Sequence, residues 1–159
     1  MRFLICFLIL LLSNCGIYTF SGSALPAHIK TVSIPMFVNK TPQPGIAEEM
    51  TRMITQAYVS DNRLKVTEKN ANSSLNVSIT GYANDPFSYD ESGNVREYRV
   101  TIRASAVFRD EVKSSDIWSK DNIVCFGNYL ASSETEETGK QLAMKQIANI
   151  LIENTISGW

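Results

Sequence analysis

The sequence predicts an α+β domain in which two helices pack on one face of a four- to five-stranded, mostly antiparallel (mixed) sheet. Three observations predict it. Apolar residues recur at helical spacing in two places, first Ile46, Met50, Met53, Ile54, Ala57 and Tyr58, then Leu142, Ala143, Ile147, Ile150 and Leu151. Between them, Tyr98, Val100, Ile102, Ala104, Ala106 and Phe108 alternate with Glu97, Arg99, Thr101, Arg103 and Ser105. That alternation gives one long strand a core side and a wet side. The resulting order is strand, helix, three or four strands, helix, which suits two layers.

The chain begins with MRFLICFLILLLSN. One positive residue, Arg2, precedes an apolar core over residues 3–12, too short to cross a bilayer permanently and the right size for an export signal. Leu12, Ser13 and Asn14 lead into Cys15, so residues 1–14 are expected to be removed as a lipoprotein signal. Asn14 is larger than the residue usual at that place, and an ordinary secretory signal cut after Ser21 or Ser23 is the alternative. Acylation of Cys15 on its sulfur and new amine would hold the protein on a membrane without crossing it, since each buried methylene contributes about 0.8 kcal/mol. Residues 15–28 read as the lipidated N-terminus and a small, polar tether, and residues 29–159 as a single α+β domain.

Within that domain, Val32 and Ile34 alternate with polar neighbours as a strand, and Pro35 marks an edge or a strand end. NKTPQPG at 39–45 is a loop. The first helix follows, with Glu48 and Glu49 in the turn where its dipole favours them, and ends near Asp61 and Asn62. A short strand at residues 64–67 leads through a polar turn to Leu75, Val77 and Ile79, which open a strand running toward Tyr89. DESGN at 90–94 supplies the Gly and Asn of a tight reversal. After the long alternating strand, a second reversal at 110–115 opens a strand over 117–129 whose mixed pattern assigns no facing. Ser133 to Glu136 resembles a capping box before the last helix.

The composition narrows the chemistry. Of 15 basic and 16 acidic residues, loss of Arg2 with the signal leaves a net charge of −2, which gives no general attraction to nucleic acid. Processing leaves Cys15, committed to lipid, and Cys125, expected as a buried, inert thiol. His28 is the single histidine, and nothing in its spacing pairs it with Cys125. Acidic pairs such as Glu48–Glu49 and Glu136–Glu137 fall at helix starts, where dipole stabilisation accounts for them. No metal, nucleotide or other cofactor motif is present, and catalysis is not expected. On pattern alone, Arg99 and Arg103 simply face water.

The residues nevertheless form an ordered set. Cys15-Gly16, Leu25-Pro26, Ile29-Lys-Thr-Val-Ser-Ile-Pro35, Phe37-x-Asn39-x-Thr41, Pro44-Gly45, Arg63-Leu-Lys-Val66, Tyr89-Asp90, Gly93-x-Val95-x-Glu97-Tyr98-Arg99, Trp118, Glu134-Thr-Glu136 and Gly158-Trp159 occur in that sequence. From Cys15 to Trp159 this resembles the LPS-assembly lipoprotein family, LptE. The resemblance implies a non-catalytic protein anchored on the periplasmic side of the outer membrane, its domain lodged in the lumen of the LptD β-barrel that inserts lipopolysaccharide into the outer leaflet. It also gives the open sheet face possible occupants. Arg99 and Arg103 would suit lipid A phosphates, because guanidinium binds phosphate through two parallel hydrogen bonds. The alternative is a general envelope lipoprotein that serves as an adaptor of another secretion or assembly machine.

Overall fold

Gly45, in the left-handed region at φ 73°, turns the chain into helix α1, Ile46–Asp61, in the computed structural model, which describes residues 25–157. The predicted signal, Cys15, the start of the tether, and Gly158 and Trp159 lie outside the described residues. Asn62, also left-handed at φ 58°, ends α1 with its amide donating to the Tyr58 carbonyl at 3.2 Å. The predicted face is the buried one: Ile46, Met50, Ile54 and Tyr58 all point inward.

Helix α2, Glu136–Ser157, buries Ala143, Met144, Ile147, Ala148 and Leu151. Two expectations change here. Leu142, expected inside, is 46% exposed, because the row Gly139, Ala143, Ile147, Leu151 is the one pressed on the sheet. Met144 takes an inward place instead. The Ser133–Glu136 capping box is also absent, since the helix begins at Glu136 and its side chain is engaged elsewhere. Glu136 accepts hydrogen bonds from the Tyr82 hydroxyl and, at 3.0 Å, from Asn84 Nδ2. The first turn of α2 is held by the Thr138 amide, which donates to the Thr135 carbonyl at 2.9 Å.

Among the described residues the sheet has six strands: β1 Thr31–Ser33, β2 Val38–Asn39, β3 Lys65–Val66, β4 Ser73–Tyr89, β5 Val95–Asp110 and β6 Ser115–Leu130. Its order is β3-β1-β4-β5-β6, with β2 beside β4. β1 runs parallel to β3 and β4, and β2 parallel to β4; the two long hairpins β4–β5 and β5–β6 are antiparallel. Pro35 marks a strand end, because β1 is interior and stops before it. β2 was not anticipated, as two residues ahead of a loop carry no periodicity. Its place is fixed by register, Val38 beside Ser78, and by the Lys40 amide on the Ile79 carbonyl, 2.9 Å. Gly93, at φ 83°, makes the β4–β5 reversal, with Asp90 Oδ1 accepting from the Ser92 and Asn94 amides at 2.9 Å each.

The two helices cover one face of this sheet. They are joined by Tyr58, whose buried hydroxyl donates to the Leu151 carbonyl at 3.2 Å and shares a 2.7 Å hydrogen bond with Thr155 Oγ1. Lys140 of α2 reaches Glu49 of α1 at 2.7 Å. Burial drives the Tyr58 hydroxyl far above the ordinary tyrosine range, so it stays neutral.

Where the chain enters the domain, His28 Nε2 meets Asp110 Oδ2 at 2.6 Å. Burial pushes the Asp110 carboxyl up, but the Lys113 amide, His28 and the Val112 amide together outweigh it and hold the group below the usual carboxylate range. A lowered folded value means this contribution is complete above the ordinary aspartate range and is lost as pH falls through the folded one. Asp110→Asn is therefore expected to lower Tm at neutral pH, with the gap to wild type closing on acidification. Melting curves across pH check it, and a gap constant down to strongly acidic pH would contradict it.

Candidate functional site

The face of the sheet away from the helices is formed by the three long strands. On β5, the odd-numbered residues from Glu97 to Val107 point to it, as the alternation predicts, while Val100, Ile102, Ala104, Ala106 and Phe108 are buried beneath the helices. This places Arg99 and Arg103 on the same open face, four residues apart and so roughly 13 Å along the strand.

Arg99 sits in a built position. Its guanidinium carbon lies 3.6 Å from the centre of the Phe87 ring and 4.3 Å from that of Phe126. Its Nε donates to Asn128 Oδ1 at 2.9 Å, across the direct pair Arg99↔Asn128. Two rings and one amide thus hold the plane of the cation, each ring worth about 0.5–1 kcal/mol at an exposed site. Both Nη nitrogens lack a hydrogen-bond partner among the described residues. The local reason is a bulge: Pro86 pairs with Tyr98 and Ser88 with Glu97, so Phe87 is an extra residue that bends onto the open face beside Arg99.

Arg103 is exposed, and no hydrogen bond or ion pair engages it among the described residues. Its stem crosses Gly81, the paired residue on β4; a Cβ there would stand 3.1 Å from Arg103 Cδ. The glycine lets the arginine lie flat beside a hollow of about 180 Å³ lined by Gly81, Ala83, Asp85 and Thr101. The face also carries acid: Asp85 pairs with Arg99 in register, and Glu97 accepts from Ser88 Oγ at 2.8 Å.

Phe87, Val124, Phe126 and Asn128 were missed in the sequence. Along residues 123–129 the core side, Ile123, Cys125 and Tyr129, and the open side, Val124 and Phe126, are both largely apolar, so alternation gave no contrast. Asp121 and Asn122 together stand opposite the single residue Ser105, and this one-residue shift in the β5–β6 register further broke the period.

The remaining candidates lie apart. His28 is bound to Asp110 at the end of β5, whereas Cys125 pairs with Ile102, eight residues back along that strand. Burial pushes the Cys125 thiol up, as expected of an inert one. Among the described residues there is no group of His, Cys, Asp and Glu that could hold a metal ion, and no helix is long and apolar enough to cross a membrane.

Two helices behind a sheet, with cations and exposed rings on its open side, define a small two-layer α+β domain. Among solved structures its fold is similar to that of a protein from Xanthomonas campestris, at 12% identity and TM-score 0.59 over 84% of this chain and 87% of the other. A hypothetical protein from Chlamydia trachomatis is similar at 8% and 0.57, over 82% and 99%. An uncharacterized lipoprotein B from Nitrosomonas europaea is similar at 19% and 0.54, over 85% and 86%. At such identities these likenesses establish the fold alone. Comparison with curated sequences finds no match. Residues 29–156 match the model of the family LptE, lipopolysaccharide-assembly, and the chain belongs to that family.

Proposed function

We propose that this chain is an outer-membrane lipoprotein, held on the periplasmic side by acyl chains on Cys15, whose domain lodges in the lumen of the LptD β-barrel and supports insertion of lipopolysaccharide into the outer leaflet. The observation that carries the reading is the open sheet face of a chain in the LptE family, with Arg99 clamped between Phe87 and Phe126 and Arg103 unengaged farther along the same face. The clamp leaves both Nη nitrogens of Arg99 without a hydrogen-bond partner among the described residues, in the planar arrangement that recognises phosphate oxygens. Separated by roughly 13 Å along the strand, the two arginines suit separate phosphates of one glycolipid better than a single one. The role is positioning rather than catalysis, in keeping with the separation of His28 from Cys125.

The test is purification of the tagged, full-length protein from detergent-extracted membranes. A large β-barrel protein is expected to come with it; another envelope assembly in its place would defeat the reading. In the same preparation, Cys15→Ser should shift the protein to the soluble fraction, and persistence on the membrane would remove the lipid anchor from the proposal.

A further inference from the structure

Among the described residues β6 borders the sheet, and its second half leaves main-chain groups without a strand partner. The Ala131 amide donates to the Arg96 carbonyl at 3.1 Å, which fixes the alternation along the register Tyr129↔Tyr98 and Cys125↔Ile102. Amides and carbonyls of Ile123, Cys125, Gly127 and Tyr129 turn toward β5, and those of Val124, Phe126, Asn128 and Leu130 turn away from the sheet. Leu130 is satisfied by its own turn, its amide donating to Glu134 Oε2 at 2.6 Å and its carbonyl accepting from the Glu134 amide at 3.0 Å. The outward groups of Val124, Phe126 and Asn128 have no strand partner among the described residues.

Natural edges are usually guarded by charge, proline or a bulge. The first half of β6 has such guards in Lys120, Asp121 and the irregular Asn122 at φ 55°. Residues 123–129 contain neither charge nor proline. Apolar groups flank the vacant lane on both sides: Val124 and Phe126 on the open face, and on the helix side Leu142, whose Cβ lies close over Gly127.

The helix layer decides what fits. α2 passes directly over β6, where a Cβ on Gly127 would stand 2.1 Å from the Gly139 carbonyl oxygen. A second copy pairing β6 with β6 would bring its own α2 to about one strand spacing, ~5 Å, from the first. Two packed helices need about 8–10 Å. A lone extended segment, with no helix on its back, meets no such obstacle.

We propose that residues 123–129 of β6 are a strand-addition site that takes one extended, uncharged segment of a partner protein, apolar at alternate positions, through the main-chain groups of Val124, Phe126 and Asn128. Neighbouring side chains supply the contacts: Val124 and Phe126 meet one side of the segment and Leu142 the other.

The experiment reads amide hydrogen exchange, residue by residue, on the tagged full-length protein extracted from membranes with the chains it holds. Amides of Val124, Phe126 and Asn128 should exchange as slowly as those of the ladder residues Cys125 and Gly127. Exchange faster by about a hundredfold or more, as for free edge amides, would overturn the site. Val124→Pro removes one outward amide at a position an edge tolerates, and Val124→Lys adds a guard without touching the backbone. Each should lower the yield of copurified partner at least about tenfold with Tm kept near wild type; full yield from both folded variants overturns the proposal. Protected amides with two differently tagged copies recovered together would mean that a second copy occupies the lane, which also overturns it. Protected amides with a partner other than a barrel protein would uphold this site and remove the LptD reading instead.

Discussion

Gly127→Val should lower the stability of the domain by at least about 3 kcal/mol, at the upper end of what overpacking costs. The reason is that the obstruction is backbone. A Cβ at Gly127 would stand 2.1 Å from the Gly139 carbonyl oxygen, 2.9 Å from its carbon and 2.7 Å from Leu142 Cβ, so no side-chain rotation relieves it. Relief requires α2 to lift from β6, which loosens the packing of Ala143, Ile147 and Leu151 at once. For a domain of this size the loss corresponds to a drop in Tm of roughly 10 °C or more. Gly93 is the contrast, since nothing lies within 4 Å of a Cβ there and only its φ of 83° is at stake. Gly93→Asn should therefore cost no more than about 1 kcal/mol, because asparagine tolerates left-handed turn positions. Equal melting temperatures for Gly127→Val and wild type would show that α2 and β6 do not meet as described.

Arg99→Glu combined with Arg103→Glu should abolish most lipopolysaccharide binding, a loss of at least about tenfold in affinity. Both substitutions lie on an open face with no role in the core, so the fold should survive, as melting would show. Arg99→Lys separates charge from shape. A lysine keeps the cation but neither stacks as a plane between Phe87 and Phe126 nor offers a fixed pair of donors. It should bind more weakly than wild type and more strongly than the double reversal. If the folded double variant binds as well as wild type, the proposed phosphate-binding role of Arg99 and Arg103 is wrong.

Much of the fold was legible, because it rests on two strong periodic signals. Wherever one side of an element is polar and the other apolar, as on β5 and α1, facing was readable to the residue. It failed where contrast was absent. Residues 123–129 are apolar on both sides, so β6 gave no facing, and the rings that clamp Arg99 went unseen. Leu142 was misplaced for a related reason: helix periodicity gives an apolar stripe but not its exact rotation, which is set here by the contact of Gly139 with Gly127. The short parallel strands are decided by tertiary pairing, and β2 has too few residues to show a pattern at all. Of the site, Arg99 and Arg103 were found together on one face, while the difference between them, one clamped and one unengaged, came only from a bulge at Phe87 and a glycine at position 81.

The direction of the strands also sets a length. His28, bonded to Asp110, ties the incoming chain to one end of β5, and the reversal at Asp90–Asn94 lies at the other end. Sixteen extended residues separate the two, a span of at most about 50 Å. A bilayer with its headgroups measures about 40–45 Å. If the chain is anchored in one leaflet as proposed, β5 is long enough to carry the Asp90–Asn94 reversal to the level of the opposite leaflet.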